Sequence, residues 1–133
     1  KEPHIVPLSS QAIEALKQLK EITGTSTYLF PNLARLDAPM SASTLNVVFD
    51  RIGYGGRFTP HGLRATASTT LNEQGYRADV IERQLAHAER NAVRAAYNHA
   101  DYLEERQGMM QHWADYLDAL ASGAKVHNLR RTA

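Results

Sequence analysis

Apolar residues at helical spacing, every third or fourth position, dominate this chain. They predict a first helix whose apolar stripe runs from Ile13 to Leu19, with a serine ahead of it as a cap and Gly24 at its end. They predict a second helix, which Ser41 caps and the glycine-rich residues 53–56 end.

The clearest helix start lies in the middle of the chain, at Thr59 and Pro60. A threonine side chain can cap the first backbone N–H groups, and the fixed backbone of proline suits the first helical position. Leu63 and Leu71 follow on one face, and Gly75 ends the predicted helix.

Three further helices are predicted after this point. Val80 and Ile81 mark a short one, and residues 92–97 belong to a second. Asp101 and Glu104 resemble a capping box that starts a long third helix. The apolar stripe predicted for that helix consists of Leu103, Met110, Trp113, Leu117 and Leu120.

Extended structure is predicted only in short segments. Residues 4–8 are an apolar run typical of an edge strand, residues 28–30 are a second candidate strand, and residues 31–40 are predicted to be loop. The sequence therefore predicts a mainly α fold with one or two short β-strands. We expect a portion of one domain over residues 1–122 and a flexible tail over residues 123–133.

Composition narrows the class of protein. The 133 residues are 43% hydrophobic and 22% charged, which is ordinary for a globular domain. There is no apolar run long enough to span a membrane, and the first residues do not resemble a signal peptide. The absence of cysteine excludes disulfides, thiolate zinc sites and cysteine nucleophiles. Since the sequence begins on Lys1 rather than methionine, we expect a piece of a longer chain.

Charge alone does not decide the partner. The formal net charge is +1, which is weak for a nucleic-acid-binding protein. Residues 55–97 contain six arginines against four acidic residues and no lysine. Residues 119–133 contain only basic charges. Both segments are suited to phosphates, but ordinary solvated surface charge explains them equally well.

Three motifs carry candidate chemistry. His61 and Arg64 are three apart on one helical face, where a guanidinium fork and an imidazole can hold a phosphate. His87 ends an apolar turn, and Tyr97 is a phenol that could attack a phosphodiester and conserve the energy of the broken bond. Taken singly, each has a simpler explanation: a surface pair, a helix-terminal histidine and a packing tyrosine.

In this order, the HxxR motif at residues 61–64, Leu-Ala-His at residues 85–87 and Tyr97 together resemble the catalytic core of the tyrosine recombinases. The 23 residues from Arg64 to His87 are similar to the family's usual spacing. The 10 residues from His87 to Tyr97 are slightly more than in its commonest form.

The integrases of enterobacterial prophages and genomic islands are more similar still. The matching stretches are residues 57–64 and 85–106, and residues 4–9 resemble the strand that precedes them. The resemblance runs from about residue 4 to about residue 120. It implies the C-terminal part of the tyrosine recombinase catalytic fold.

The resemblance implies a role for each matching residue. Arg64 is the second of two arginines that hold the scissile phosphate, and His61 donates to phosphate and takes part in proton transfer. His87 hydrogen-bonds a non-bridging phosphate oxygen, and Tyr97 is the nucleophile. Tyr102 is a competing phenol, but its neighbours resemble the residues downstream of the nucleophile.

The implied activity is site-specific DNA recombination, meaning prophage integration and excision, through a 3′-phosphotyrosyl intermediate without a metal or nucleotide cofactor. The implied partners are a duplex DNA attachment site, a homotetramer on DNA and host accessory DNA-bending proteins. The implied location is cytoplasmic and nucleoid-associated. The family's first arginine and its lysine would lie upstream of Lys1, so this chain alone is expected to be inactive or nearly so.

Other classes remain open. The predicted helices at residues 60–74 and 78–86 can imitate a helix-turn-helix, so a non-catalytic helical DNA-binding module is the main alternative. A metal enzyme is less favoured, because the six histidines lack the paired spacing of a metal motif. A degenerate integrase is disfavoured because all four visible site positions are filled.

Overall fold

The computed structural model describes residues 4–87 and 102–124, and within them the chain is mainly helical. The helices are α1 (Ser10–Thr23), α2 (Thr44–Arg51), α3 (Pro60–Glu73), α4 (Ala78–Gln84) and α5 (Leu103–Ala121). Two short strands, β1 (Pro31–Asn32) and β2 (Arg35–Pro39), form an antiparallel pair. The predicted fold class is confirmed, whereas the helix predicted over residues 92–97 and the cap at Asp101 lie outside the described residues.

The chain divides into two compact units. One unit is Gln11–Ala65, and the other combines Lys1–Ser10 with Thr66–Ala133. The single domain expected over residues 1–122, with a tail after it, stays a prediction. Across the described ranges, the structure has no helix of the length and apolar character that a membrane crossing requires.

The unit that contains Thr66–Ala133 has a small buried core, to which α3, α4 and α5 contribute; it is called the second unit below. Its buried apolar side chains are Leu71, Val80, Ile81 and Met109. Partly buried side chains packed around them are Tyr76, Leu85, Tyr102, Met110 and Trp113. The short helix predicted from Val80 and Ile81 is therefore confirmed as α4, and both side chains are buried.

The predicted core face of α5 is partly wrong. Met110 and Trp113 do pack against the core, but Leu103, Leu117 and Leu120 are 41%, 44% and 49% exposed. The innermost side chains are Met109 and Arg106 instead. A count of apolar positions could not find this face, because a polar side chain lies at its centre.

That polar side chain, Arg106, is only 1% exposed and is the largest of the fully buried side chains. Its Nε donates to Gln84 Oε1 over 2.9 Å, and its terminal NH2 group donates to the backbone carbonyl of Ile5. Arg106 therefore joins α5 to the end of α4 and to the N-terminal segment. Burying a guanidinium costs free energy unless such acceptors satisfy it.

The strand predicted over residues 4–8 does not form, which corrects the sequence interpretation. This segment is held by other contacts: Ile5 accepts from Arg106, and Ser10 N donates to Gln111 Oε1 over 2.9 Å. An apolar run with β propensity becomes a strand only where a partner strand is available. The two strands of the described residues pair with each other.

The prediction of loop over residues 31–40 was also wrong, because β1 and β2 form a hairpin there. The turn depends on Asn32, whose Oδ1 accepts from Ala34 N over 2.9 Å and from Arg35 N over 3.2 Å. The strand predicted over residues 28–30 does not form, although Phe30 O accepts from Met40 N over 2.8 Å just beyond the ladder. Asparagine commonly closes turns in this way.

Helix ends were predicted better than strands. α1 ends at Thr23, next to the predicted Gly24. The predicted cap of α2 was wrong, because the N-cap is Ser43 rather than Ser41. Ser41 Oγ instead lies 2.6 Å from Ser43 Oγ and accepts from Ser43 N over 3.1 Å. The Ser41 hydroxyl therefore binds within the turn ahead of α2 and does not cap the helix.

The buried arginine gives a stability prediction. Arg106→Ala should lower the free energy of unfolding by about 3 kcal/mol, because it leaves the acceptors on Gln84 and Ile5 without their donor. The measurement is guanidinium denaturation followed by circular dichroism. Arg35→Ala, at an exposed position in β2, is the control and should change stability by less than about 0.5 kcal/mol. Equal effects of the two substitutions would contradict this account.

Candidate active site

The start of α3 is fixed by the predicted threonine and proline. Thr59 Oγ1 accepts a hydrogen bond from Gly62 N over 3.0 Å, and Thr59 O accepts from Leu63 N over 3.2 Å. Pro60 is the first helical residue, where its missing N–H costs nothing. A side chain at position 62 would place its Cβ 3.2 Å from the capping oxygen, so glycine leaves room for the cap.

This cap decides where His61 and Arg64 lie. They are the second and fifth residues of α3, one helical turn apart, and both are exposed. Residues three apart on a helix lie on the same face. The arginine fork matches phosphate oxygens, and the imidazole can donate beside it. Both residues therefore lie on the same face of α3, as their spacing in the sequence predicts.

Aromatic contacts hold the connection that leads into α3. The ring of Phe58 meets the ring of Tyr54 edge to face at 5.7 Å, and the ring of Phe49 at 6.3 Å. The guanidinium of Arg57 lies 5.7 Å from the centre of the Tyr54 ring. Residues 57–64 stand out in the sequence as a motif, but nothing in the sequence indicates that Arg57 contacts this aromatic cluster.

His87 follows the end of α4, in a backbone turn that closes the helix. Ala86 N donates to Arg83 O over 3.2 Å, and His87 N donates to Glu82 O over 3.1 Å. This pair of bonds is the Schellman arrangement, which requires a left-handed residue between them. Ala86 supplies it with a φ of 53°. A positive φ is unfavourable for alanine, so the turn before the histidine is strained.

The side chain of His87 is also held. Its Nδ1 lies 2.7 Å from Glu82 Oε2, a hydrogen bond between two partly exposed groups. The sequence interpretation missed Glu82. The available signal was its position five residues before the histidine, which a Schellman turn brings alongside.

Tyr102, the competing phenol, has a structural role in this arrangement. Its ring packs against the core, and the guanidinium of Arg77 lies 5.0 Å from the ring centre. Arg77 also donates to Glu105 Oε1 over 3.0 Å. Tyr102 itself has a φ of 45°, so its backbone is in the left-handed region at the start of α5. These contacts favour a packing role for this tyrosine.

The described part of the chain does not contain all four predicted site residues, and those it contains belong to two units. His61 and Arg64 belong to the unit Gln11–Ala65, and His87 belongs to the other unit. Tyr97 and His99 lie outside the described residues. Within residues 4–87 and 102–124 there is no group of three histidine, aspartate or glutamate side chains placed to hold a metal ion.

Comparison with known proteins supplies the family. The sequence model described as the phage integrase family matches residues 1–104. The chain belongs to the phage integrase family. Prophage integrase IntA of Escherichia coli K12 is 47% identical over 92% of this chain, and prophage integrase IntZ of the same strain is 46% identical over 91%. The integrase of Enterobacteria phage P4 is 49% identical over 89%.

These integrases are much longer than the region they share with this chain. The match covers 30% of IntA, 30% of IntZ and 28% of the phage P4 integrase. No solved structure matches the chain significantly.

The strained turn before His87 gives the next prediction. Ala86→Gly should raise the free energy of unfolding by about 1 kcal/mol, because glycine adopts a positive φ without the steric cost that alanine bears. Chemical denaturation of both variants measures this effect. The control, Ala65→Gly within α3, should lower stability by about 1 kcal/mol. A loss of stability with Ala86→Gly would show that the turn is not strained.

Proposed function

We propose that this chain is the catalytic portion of a site-specific DNA recombinase of the tyrosine type. The observation that carries the proposal is the capped start of α3, which presents His61 and Arg64 to solvent on one helical face. Membership of the phage integrase family and the integrase names of its relatives support it. The proposed activity is integration and excision of phage DNA at an attachment site.

In the proposed reaction, Tyr97 Oη attacks the phosphorus of a DNA phosphodiester and the phenol loses its proton. The bond from phosphorus to the 5′ oxygen breaks, and the leaving 5′ oxygen takes up a proton. The product is a 3′-phosphotyrosyl ester with a free 5′-hydroxyl. The 5′-hydroxyl of a partner duplex then attacks the ester, which restores the tyrosine. Because the ester keeps the energy of the broken bond, rejoining needs no nucleotide cofactor.

The other residues would hold the phosphate while charge develops on it. Arg64 would bind two of its oxygens through its guanidinium fork, and His61 would donate beside it and take part in proton transfer. His87 would donate to a non-bridging oxygen. Donors fixed before the reaction starts stabilise the transition state without reorganisation, and this is often the largest contribution to rate.

The proposal extends to the assembly and to the limits of this chain. We propose a homotetramer on duplex DNA, helped by host DNA-bending proteins, with an affinity that falls as salt rises because phosphate contacts release counterions. The family resemblance also includes a first arginine and a lysine that have no match among these 133 residues. We therefore propose that the 133-residue chain by itself cleaves DNA very slowly or not at all.

A hybrid enzyme tests the nucleophile. This chain would replace the matching segment of Escherichia coli IntA, and the hybrid would be incubated with the attachment site of IntA. Tyr97→Phe should abolish the covalent protein–DNA product on a denaturing gel, because phenylalanine has no attacking oxygen. Tyr102→Phe is the matched control and should retain the product, since the structure gives its ring a packing role. Covalent product from the Tyr97 variant would refute the mechanism and favour a different nucleophile.

The same hybrid tests the phosphate clamp. Arg64→Lys should slow cleavage by about 100-fold, because an ammonium cannot replace the two parallel hydrogen bonds of a guanidinium. Arg51→Lys, at the end of α2, is the control and should cleave at the rate of the unaltered hybrid. The measurement is the single-turnover rate with enzyme in excess. An unchanged rate for the Arg64 variant would remove this residue from the proposed site.

A further inference from the structure

We propose that Glu82 is a positioning residue that binds Nδ1 of His87 and so orients the imidazole with its Nε2 atom towards a phosphate oxygen. The inference rests on the proposed function for the identity of that phosphate. Its structural part concerns only α4 and the turn after it. Glu82 would act through His87 and would not itself touch DNA.

The first observation is that Glu82 holds His87 at two places. The backbone carbonyl of Glu82 accepts from His87 N over 3.1 Å, and its carboxylate oxygen Oε2 lies 2.7 Å from His87 Nδ1. The first bond fixes where the histidine leaves the helix, and the second fixes how its ring is turned. Two bonds to the same residue leave the imidazole little freedom to rotate.

The second observation is that the backbone turn brings the two side chains together. The left-handed conformation of Ala86 reverses the chain after α4, so that residue 87 returns to the level of residue 82. In a continuing helix, residues five apart would point in different directions. The turn that ends α4 thus creates the contact between the carboxylate and the imidazole.

The chemistry of the pair fixes the tautomer. An ionised carboxylate only accepts hydrogen bonds, so the hydrogen of this contact belongs to Nδ1 of His87. The ring nitrogen that remains for another partner is Nε2. When the ring takes up a second proton, Nε2 can donate to a phosphate oxygen while Nδ1 still donates to Glu82. A carboxylate bound to Nδ1 orients catalytic histidines in the same manner in other enzymes.

The exposure of the pair indicates that it serves orientation more than stability. The side chains of His87 and Glu82 are 45% and 51% exposed. Ion pairs this open to water contribute little to the stability of a fold. Removing the carboxylate should therefore leave the chain folded, which makes the inference testable with simple variants.

The direct test measures the tautomer in the 133-residue chain itself. Long-range proton–nitrogen NMR spectra at mildly alkaline pH distinguish the two neutral forms of each histidine ring. His87 should carry its hydrogen on Nδ1 in the unaltered chain. Glu82→Gln should keep that form, because the amide oxygen also accepts, whereas Glu82→Ala should shift the ring towards the form with hydrogen on Nε2. An unchanged spectrum for His87 in Glu82→Ala would overturn the inference.

The second test asks whether Glu82 acts through His87 during cleavage, in the hybrid described above. Glu82→Ala should slow cleavage by about 10-fold without weakening DNA binding, because the imidazole then loses the contact that orients it; losing the partner of a metal-binding histidine costs about 10- to 100-fold. Added to His87→Ala, the same substitution should cause no further loss, because its effect depends on that ring. Glu73→Ala, an exposed glutamate in α3, is the control and should leave the rate unchanged.

The outcomes separate the two proposals. Full additivity of the Glu82 and His87 substitutions, or an unchanged rate for Glu82→Ala in an active hybrid, would overturn the positioning role. Covalent product that persists in Tyr97→Phe would instead refute the proposed function. In that case the tautomer measurement, which needs no DNA, would decide by itself whether Glu82 orients His87.

Discussion

The arrangement of the second unit depends on one buried guanidinium. Arg106 is 1% exposed, and it binds the side chain of Gln84 and the backbone of Ile5. These contacts tie α5 to the last residue of α4 and to the segment ahead of α1. The apolar core beside it has only four buried side chains among the described residues. With so little apolar burial, the directional bonds of the arginine are well placed to determine which way α5 faces.

Through α4, the buried guanidinium of Arg106 also constrains the position of His87 in the candidate site. Arg106 binds Gln84, which is the last residue of that helix, and His87 lies three residues further along. The turn between them is closed by backbone bonds and by Glu82. Arg106 thus holds the last residue of α4 from the core, and Glu82 holds the histidine after the turn at the surface. Their combined effect is to give His87 a defined position without placing it in the core.

The predictability of each feature follows from how local its cause is. The start of α3 was predicted because Thr59 and Pro60 act within a single turn, and this start places His61 and Arg64. The inner face of α5 was mispredicted because it depends on partners of Arg106 that are distant in sequence. The hairpin is an exception, because Asn32 closes its turn locally, but β1 has only 2 residues, too few for an alternating pattern to appear in the sequence. Glu82 was missed because its contact exists only after the chain reverses.

The most direct measurement of the central claim is a crystal structure of this chain with bound inorganic phosphate. What it tests is the proposal, drawn from the family resemblance, that His61, Arg64 and His87 bind the phosphate that Tyr97 attacks. The account predicts an anion within hydrogen-bonding distance of the guanidinium and of both imidazoles, with the phenol oxygen close enough to attack phosphorus. Phosphate bound elsewhere, with these side chains directed into separate surroundings, would contradict it.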